Sequence, residues 1–170
     1  EKGLDTGPIL LQKPCRITDD ETTGSLHDNL ADLGAVAIVE TLHQLSSGHI
    51  TTETQDESLA CYAKKIFKTE AEIDWQQTAK TIERKIRAFN PMPFCFSTIN
   101  GQDMRIWQAR LGDNPLSKPP GSIISEQHDG IEIACGEGTL VLNTIQLPGK
   151  KPIQAKAFLN GHPEFIHYKP

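Results

Sequence analysis

The sequence lacks any hydrophobic run long enough to cross a bilayer, which takes about 18 consecutive apolar residues. Its longest apolar run, residues 35–39, lies inside a helical pattern. No secretory or transit pattern is found at the start, where residue 1 is Glu rather than Met, and no internal repeat occurs. These absences predict a protein that has no membrane as a partner.

Clustered metal-ligating residues are also missing. The four cysteines lie far apart and form no Cys-x-x-Cys motif, and the six histidines are equally scattered. The sequence therefore predicts no metal site and four reduced thiols, as in an intracellular protein.

The chain has no strong positive net charge of the kind that indicates a nucleic-acid-binding protein, since its net charge is -5. The charge is uneven, however. Residues 1–67 carry 5 Lys and Arg against 11 Asp and Glu, whereas residues 68–170 carry 12 against 11. An acidic part and a near-neutral part with local basic clusters are thus separated near residue 67, and any nucleic-acid contact must come from those clusters.

In the acidic part, the sequence predicts a short strand at residues 8–12 and a helix from about Gly24 to Leu45. An apolar stripe at helical spacing marks that helix: Leu26, Leu30, Leu33, Ala37, Ile38, Leu42 and Leu45. Residues 49–58 have no apolar period and begin a linker. A second helix is predicted from Ala79 to Phe89, with Thr78 as its N-cap and Ile82, Ile86 and Phe89 as its buried side.

After Pro93 the hydrophobic period changes to two. Five short strands follow with turn signals between them, of which Asn100-Gly101 is a strong hairpin signal. This pattern is typical of a small β-barrel of the OB kind or of a compact sandwich. A short terminal helix is predicted at residues 154–160.

Asp5 is the first candidate for chemistry. It lies in a loop with glycines on both sides, followed by an apolar run, and such a carboxylate can orient a histidine, move a proton or activate water. It can equally be a turn aspartate that bonds its own backbone. Asp-Thr-Gly is also the signature of aspartic proteases, but those enzymes need two carboxylates, and this chain has one copy.

Clustered basic residues form the second candidate site, because Lys and Arg neutralise phosphates and OB-type barrels commonly bind oligonucleotides. A solvated surface with interleaved acidic residues would give a similar pattern. The residues predicted to contact nucleic acid are Lys64, Lys65, Lys68, Arg84, Arg87, Lys150 and Lys151, with Lys85 beside them on the second helix.

Four strings of residues, in order along almost the whole chain, resemble the C-terminal half of the methionyl-tRNA formyltransferases. They are Gly3-Leu4-Asp5-Thr6-Gly7; Tyr62-Ala63-x-Lys65 with Lys68, Glu70 and Ile73-Asp74-Trp75; Ile86-Arg87-Ala88-Phe89-Asn90-Pro91-x-Pro93; and Leu147-x-Gly149-Lys150-Lys151-Pro152. Pro8 departs from the family, whose tRNA-type members often have Asp there; proline is more typical of glycinamide ribonucleotide formyltransferases, which lack the second domain.

The resemblance implies an α/β fragment, the end of a Rossmann-like catalytic domain, followed by a small OB-like five-stranded barrel with a flanking helix. The implied boundaries are 1–48 for the end of the catalytic domain, 49–67 for the linker and 68–170 for the tRNA-binding domain. The implied reaction moves a formyl group from 10-formyltetrahydrofolate to methionyl-initiator tRNA. Asp5 matches the aspartate of the catalytic triad, and Gly3, Leu4 and Asp5 would border the folate.

The triad's Asn and His would lie before Glu1, so the chain alone is expected to be inactive. The resemblance further implies a cytoplasmic monomer without metal. Two other readings stay open: an amino-sugar formyltransferase of the same two-domain plan, and a stand-alone OB-type RNA-binding module formed by residues 61–170.

Overall fold

The computed structural model describes residues 2–115, 118–127 and 130–167. These residues form two compact units, Glu1–Lys65 and Ile66–Pro170. No helix among the described residues is both long and apolar enough to cross a membrane.

The first unit contains one long helix, α1, from Thr23 to Ser46. Thr22 caps it: its hydroxyl oxygen accepts a hydrogen bond from the Ser25 N–H at 3.1 Å, and the Ser25 hydroxyl oxygen accepts from the Thr22 N–H at 3.0 Å. The helix was predicted within two residues at each end. The predicted strand at residues 8–12 was wrong, because only Ile9 pairs there, with Glu53.

The apolar stripe of α1 is largely in contact with solvent in this structure. The one buried residue of the helix is Thr41, which lies outside the stripe, whereas Leu30, Ile38, Leu42 and Leu45 of the stripe are 47–57% exposed. Helices of globular proteins normally bury such a stripe against a core. In this unit, the stripe is thus an uncovered apolar surface.

The second unit is an antiparallel sheet with two helices. Its helices are α2, Ala79–Ala88, and α3, Ala155–Gly161. Its strands are β1, Cys95–Ile99; β2, Gln102–Leu111; β3, Ile123–Gln127; β4, Gly130–Ala134; β5, Thr139–Gln146; and β6, Ile153–Gln154. The described residues also contain three short 3₁₀ helices, Glu57–Leu59, Lys68–Ala71 and Pro163–His167, and the division between the units falls between the first two.

The strand order is β1-β2-β5-β4-β3, with β6 also paired to β5. Among the described strands β1 and β3 are therefore the ends of the sheet. The five predicted strands and the flanking helix are confirmed, whereas the sequence prediction missed the two-residue β6. The β1–β2 hairpin turns at Asn100 and Gly101, whose φ angles of 47° and 74° suit these two residues.

Helix α2 packs its apolar side onto the sheet, as predicted. Ile82 and Ile86 are 2% and 1% exposed, and Phe89 packs at the edge of the same core. Thr78 is the N-cap, with its hydroxyl oxygen 3.1 Å from the Thr81 nitrogen. The basic side chains of α2 are left on the outer surface or at its edges.

The four cysteines are free thiols, and burial divides them into two pairs. Cys95 and Cys135 are fully buried, and burial raises the pKa of each thiol to about 11. Cys61 is exposed and Cys15 partly exposed. The thiolate is the reactive form, so a buried thiol of high pKa reacts slowly.

We therefore expect iodoacetamide at pH 8 to alkylate Cys61 and Cys15 in the native protein and to spare Cys95 and Cys135 until the domain is unfolded in urea. Peptide mass mapping over a time course measures the four rates. Modification of Cys95 or Cys135 at the rate of Cys61 without denaturant would contradict the structure.

Candidate catalytic loop and nucleic-acid interface

The loop that contains Asp5 is held by two residues much later in the chain, Glu53 and Gln55. The Gln55 side-chain amide donates to the carbonyl oxygens of Asp5 at 2.9 Å and Gly7 at 2.6 Å. Ile9 and Glu53 exchange backbone hydrogen bonds of 2.8 and 2.9 Å just beyond it. Asp5 has a φ of 56°, a left-handed conformation that Asp and Asn tolerate better than most residues. The loop is thus fixed through its backbone, while the Asp5 side chain is exposed.

Leu4 and Asp5 line a shallow depression of about 480 Å³. Leu4 is 93% exposed, so an apolar side chain and a carboxylate are available side by side. Three more carboxylates, from Glu53, Asp56 and Glu57, line the same depression. Gly3, which the sequence also predicts at the folate, is exposed but is not part of this lining.

Among the residues that the structure describes, no group of three or more His, Cys, Asp or Glu side chains is arranged as a metal site. Hydrogen bonds from the Ser58 hydroxyl and N–H lower the pKa of Asp56. Asp5 can accept hydrogen bonds and orient a partner, but a single carboxylate cannot by itself stabilise the charge of an acyl-transfer transition state.

The predicted nucleic-acid residues fall into both units. Lys64 and Lys65 belong to the first and Lys68 to the second, and all three are exposed. On α2, Arg84 is exposed, whereas Lys85 donates to the Glu72 carbonyl oxygen at 2.7 Å. Arg87 forms an ion pair with Glu83, at 2.5 Å, one helical turn earlier. Contacts of Arg87 to phosphate would therefore compete with Glu83.

Lys150 and Lys151 are exposed on a loop that is fixed by its own hydrogen bonds. The Lys150 N–H donates to the Leu147 carbonyl oxygen at 3.1 Å, and the Gln146 side-chain amide donates to the Lys150 carbonyl oxygen at 2.7 Å. Gly149 has a φ of 69°, which a glycine adopts without strain. The two lysines are thus presented by a preformed turn.

Trp107 connects this loop to the residues around Pro91 and Pro93. Its indole N–H donates to the Gln146 side-chain oxygen at 2.9 Å, and its carbonyl oxygen accepts from the Asn90 side chain at 2.8 Å. The Phe94 ring packs against the Trp107 ring with 4.0 Å between centroids, and Phe94 has a φ of 65°, uncommon for a residue with a side chain. Trp107 therefore bonds Asn90 of one quoted string through its backbone, and Gln146, the residue before another string, through its indole.

Residues 65–163 match the sequence profile of the family described as formyl transferase, C-terminal domain. The chain belongs to this family. The match spans most of the second unit, including α2, the sheet and the Lys150–Lys151 loop.

Relatives of this formyl transferase C-terminal domain extend the match to the first unit. Over 153 residues the chain is 50% identical to the methionyl-tRNA formyltransferase of Stutzerimonas stutzeri, covering 90% of the chain and 48% of that protein. It is 47% identical over 162 residues to the methionyl-tRNA formyltransferase of Methylococcus capsulatus, covering 95% of the chain and 52% of that protein. The predicted resemblance is confirmed, and the chain spans about half the length of these relatives.

Two solved structures share the fold of this chain. HypX from Aquifex aeolicus, in complex with tetrahydrofolic acid, aligns with a TM-score of 0.70 and 20% identity, covering 98% of this chain and 29% of that one. WlaRD, a sugar 3N-formyl transferase, aligns with a TM-score of 0.60 and 18% identity, covering 89% and 53%. At these identities the likeness bears on the fold alone.

Sequence reasoning missed the contacts of Gln55, in the first unit, and of Trp107 and Gln146, in the second unit. Gln55 lies in a stretch predicted to be linker, and its two acceptors could not be found from spacing. Trp107 lies where the pairing of β2 with β5 shifts register, between Ile106 and Gln108. Such a bulge re-aims a side chain and leaves no signal in a period-two pattern.

Proposed function

We propose that this chain is the C-terminal half of a methionyl-tRNA formyltransferase, which moves the formyl group of 10-formyltetrahydrofolate to the amino group of methionyl-initiator tRNA. The observation that carries the proposal is the identity of 43–50% to proteins of that name over at least 90% of the chain. A shared fold alone would not separate this substrate from an amino sugar.

Residues 1–48 would be the end of a Rossmann-like catalytic domain, residues 49–67 the linker and residues 68–170 an OB-like domain that binds tRNA. Two observations support this division. The chain divides between Lys65 and Ile66. The exposed apolar stripe of α1 is the kind of surface that the rest of a catalytic domain would cover.

Asp5 would act as the aspartate of the catalytic triad. Its exposed carboxylate accepts an N–H of the triad histidine, holds the tautomer of that ring and aids proton movement as the amine attacks the formyl carbon. The new C–N bond forms as the bond to N10 of the folate breaks, and the proton lost by the amine is the one that N10 needs. Leu4, with its exposed apolar side chain beside this carboxylate, suits one side of a flat pterin, and Gly3 would border it.

Binding of tRNA would come from phosphate contacts, which position the substrate but do not recognise its sequence. The residues proposed for these contacts are Lys64, Lys65, Lys68, Arg84, Arg87, Lys150 and Lys151. Of these, Lys150 and Lys151 have the strongest support, because both are exposed on a preformed turn. We place the protein in the cytoplasm, acting as a monomer on initiator tRNA.

A formylation assay tests the proposed function. Full-length protein should formylate methionyl-initiator tRNA with 10-formyltetrahydrofolate, the 170-residue chain should not, and an amino-sugar nucleotide should give no product. Formylation of the sugar nucleotide in place of tRNA would overturn the proposed acceptor, and turnover by the 170-residue chain would overturn the role of upstream residues.

The salt dependence of tRNA binding tests the lysine loop. We expect the double substitution Lys150→Ala, Lys151→Ala to make the slope of log K against log salt shallower by roughly 1.4–1.8, because each phosphate contact contributes about 0.7–0.9. Lys13→Ala is the matched control, since Lys13 is ion-paired with Glu40. An unchanged slope in the double variant would remove these lysines from the interface.

A further inference from the structure

A groove of about 530 Å³ in the second unit lies between the β1–β2 hairpin and residues 147–149. Its volume falls within the roughly 300–1,000 Å³ of pockets that take small ligands. Neither its aromatic nor its basic side chain belongs to the predicted nucleic-acid set. The residues that matter for its chemistry are Phe96, Thr98, Asp103, Arg105, Leu147 and Pro148.

A phenyl ring, of Phe96, and a guanidinium, of Arg105, both line this groove, and the guanidinium lies 5.9 Å from the centroid of a second ring, that of Phe94. Strand β1 alternates buried and exposed residues, which leaves Phe96 37% exposed. Arg105 is directly opposite Phe96 in the β1–β2 register, and it is also exposed. Cross-strand neighbours in such a pair are within reach of each other's side chains. Flat aromatic and guanidinium surfaces are the groups on which unpaired nucleobases stack.

The opposite wall of the groove is preformed. Gln146 holds the lysine loop through its amide N–H to Lys150, and the same side chain accepts the Trp107 indole N–H at 2.9 Å. A wall that is already ordered loses less conformational entropy when a ligand enters. The hydrogen bond from Gln146 also fixes the backbone of the loop that carries Lys150 and Lys151.

The charges at the groove favour a base inside it and a phosphate outside. Asp103 lines the groove, and its carboxylate accepts a hydrogen bond from the Thr98 hydroxyl at 2.5 Å. A carboxylate repels phosphate, but its remaining lone pairs can accept the exocyclic N–H of a base. The positive charges of Lys150 and Lys151 are available to the phosphate on the neighbouring loop.

We propose that this groove takes one unpaired nucleotide of the bound tRNA. The base stacks on Phe96 and Arg105, and its phosphate is neutralised by Lys150 and Lys151. The inference rests on the proposed function for the identity of the RNA, and it adds a contact of a different physical kind, because stacking releases no counterions.

The test compares full-length wild-type protein with Phe96→Leu, which keeps an apolar side chain on β1 but removes the flat ring. Binding is measured over a salt series to methionyl-initiator tRNA and to a fully paired RNA duplex. We expect Phe96→Leu to weaken tRNA binding roughly 5–20-fold with an unchanged salt slope, and to leave duplex binding unchanged. Phe96→Tyr should bind within twofold of wild type.

Two further variants control for folding and for charge. Leu111→Ala removes a comparably exposed apolar side chain from β2 and should change neither binding constant. Arg105→Lys keeps the positive charge but loses the planar group, so it should weaken tRNA binding several-fold at an unchanged slope.

The outcomes separate this inference from the proposed function. If Phe96→Leu binds tRNA as wild type does while wild type formylates it, the groove proposal is wrong and the function stands. If tRNA and duplex binding fall equally, the groove does not take an unpaired nucleotide. If wild type neither binds nor formylates methionyl-initiator tRNA, the proposed function fails.

Discussion

Replacing Asp5 with asparagine in the full-length protein is expected to lower kcat for formyl transfer by roughly 10²–10⁴-fold, the range over which a positioned proton-transfer group contributes to catalysis. Asparagine keeps the size of the side chain but loses its charge, and it presents an amide that can hold the histidine in the wrong tautomer. The proposed role of Asp5 depends on both properties.

The structure excludes a trivial folding explanation for such a loss. Asp5 has a φ of 56°, a conformation that asparagine adopts at least as readily as aspartate. The loop is held through the backbone oxygens of Asp5 and Gly7, which the substitution leaves in place. The thermal midpoint of Asp5→Asn should therefore match that of wild type.

Steady-state kinetics with methionyl-initiator tRNA as varied substrate measure the effect. Because other residues are proposed to bind the tRNA, KM for tRNA should stay within about twofold of the wild-type value while kcat falls. Asp19→Asn is the matched control, since Asp19 is an exposed carboxylate of the same unit outside the depression. A kcat within tenfold of wild type for Asp5→Asn would make Asp5 a turn residue rather than a catalytic one.

The parts of the fold that could be predicted from sequence are those fixed by local backbone chemistry. Asn100-Gly101 defined the β1–β2 hairpin because both residues must adopt positive φ, and few other pairs do so cheaply. Helix α2 could be predicted from its N-cap, Thr78, and from the spacing of Ile82 and Ile86. Both signals, the cap and the 3.6-residue period, lie within or next to the ten residues of the helix.

The parts that could not be predicted depend on contacts between distant residues. In β4, a period-two pattern would leave Glu132 in water, yet it is 0% exposed. Its carboxylate accepts from the Thr139 hydroxyl at 2.6 Å and from the Asn114 side-chain amide, so partners from two other segments make its burial tolerable. Nothing in the neighbouring sequence marks those partners.

The candidate site divides in the same way. The glycines around Asp5 predict a loop, and the exposed Lys150 and Lys151 follow from a Pro-Gly turn, because both signals are local. The support from Gln55 for the first loop and from Trp107 and Gln146 for the second comes from tertiary contacts. Sequence therefore indicated which groups could do chemistry but not which residues hold them.

Gly136 to Ala is expected to cause the largest loss of stability among the substitutions considered. The new Cβ would lie far inside van der Waals contact of the Gln76 carbonyl oxygen and 2.7 Å from its carbonyl carbon. Both are backbone atoms, so neither can rotate away. The Gly136 N–H also donates to the carbonyl oxygens of Trp75, at 2.8 Å, and Gln77, at 2.9 Å, and moving the two segments apart would break these bonds.

The segment that would have to move is itself fixed. Asp74 accepts from the Gln77 side-chain amide and from the Gln76 N–H, each at 3.0 Å, and these hydrogen bonds lower the pKa of Asp74. The next residue after Gly136 is also engaged, because the Glu137 carbonyl oxygen accepts from the Ala79 N–H at the start of α2. A shift at Gly136 would therefore disturb the helix that presents Arg84.

We expect Gly136→Ala to lower the free energy of unfolding by about 3 kcal/mol, at the upper end of the usual cost of overpacking. For a domain of this size that corresponds to a fall of roughly 10–25 °C in the thermal midpoint. Gly161→Ala is the control, because nothing lies within 4 Å of its added Cβ, and its midpoint should stay within a few degrees of wild type. Urea and thermal unfolding followed by the fluorescence of the two tryptophans measure both variants. A Gly136→Ala protein as stable as Gly161→Ala would contradict the close approach of the β4–β5 turn to residues 75–77, and would show that the start of α2 is held by other contacts.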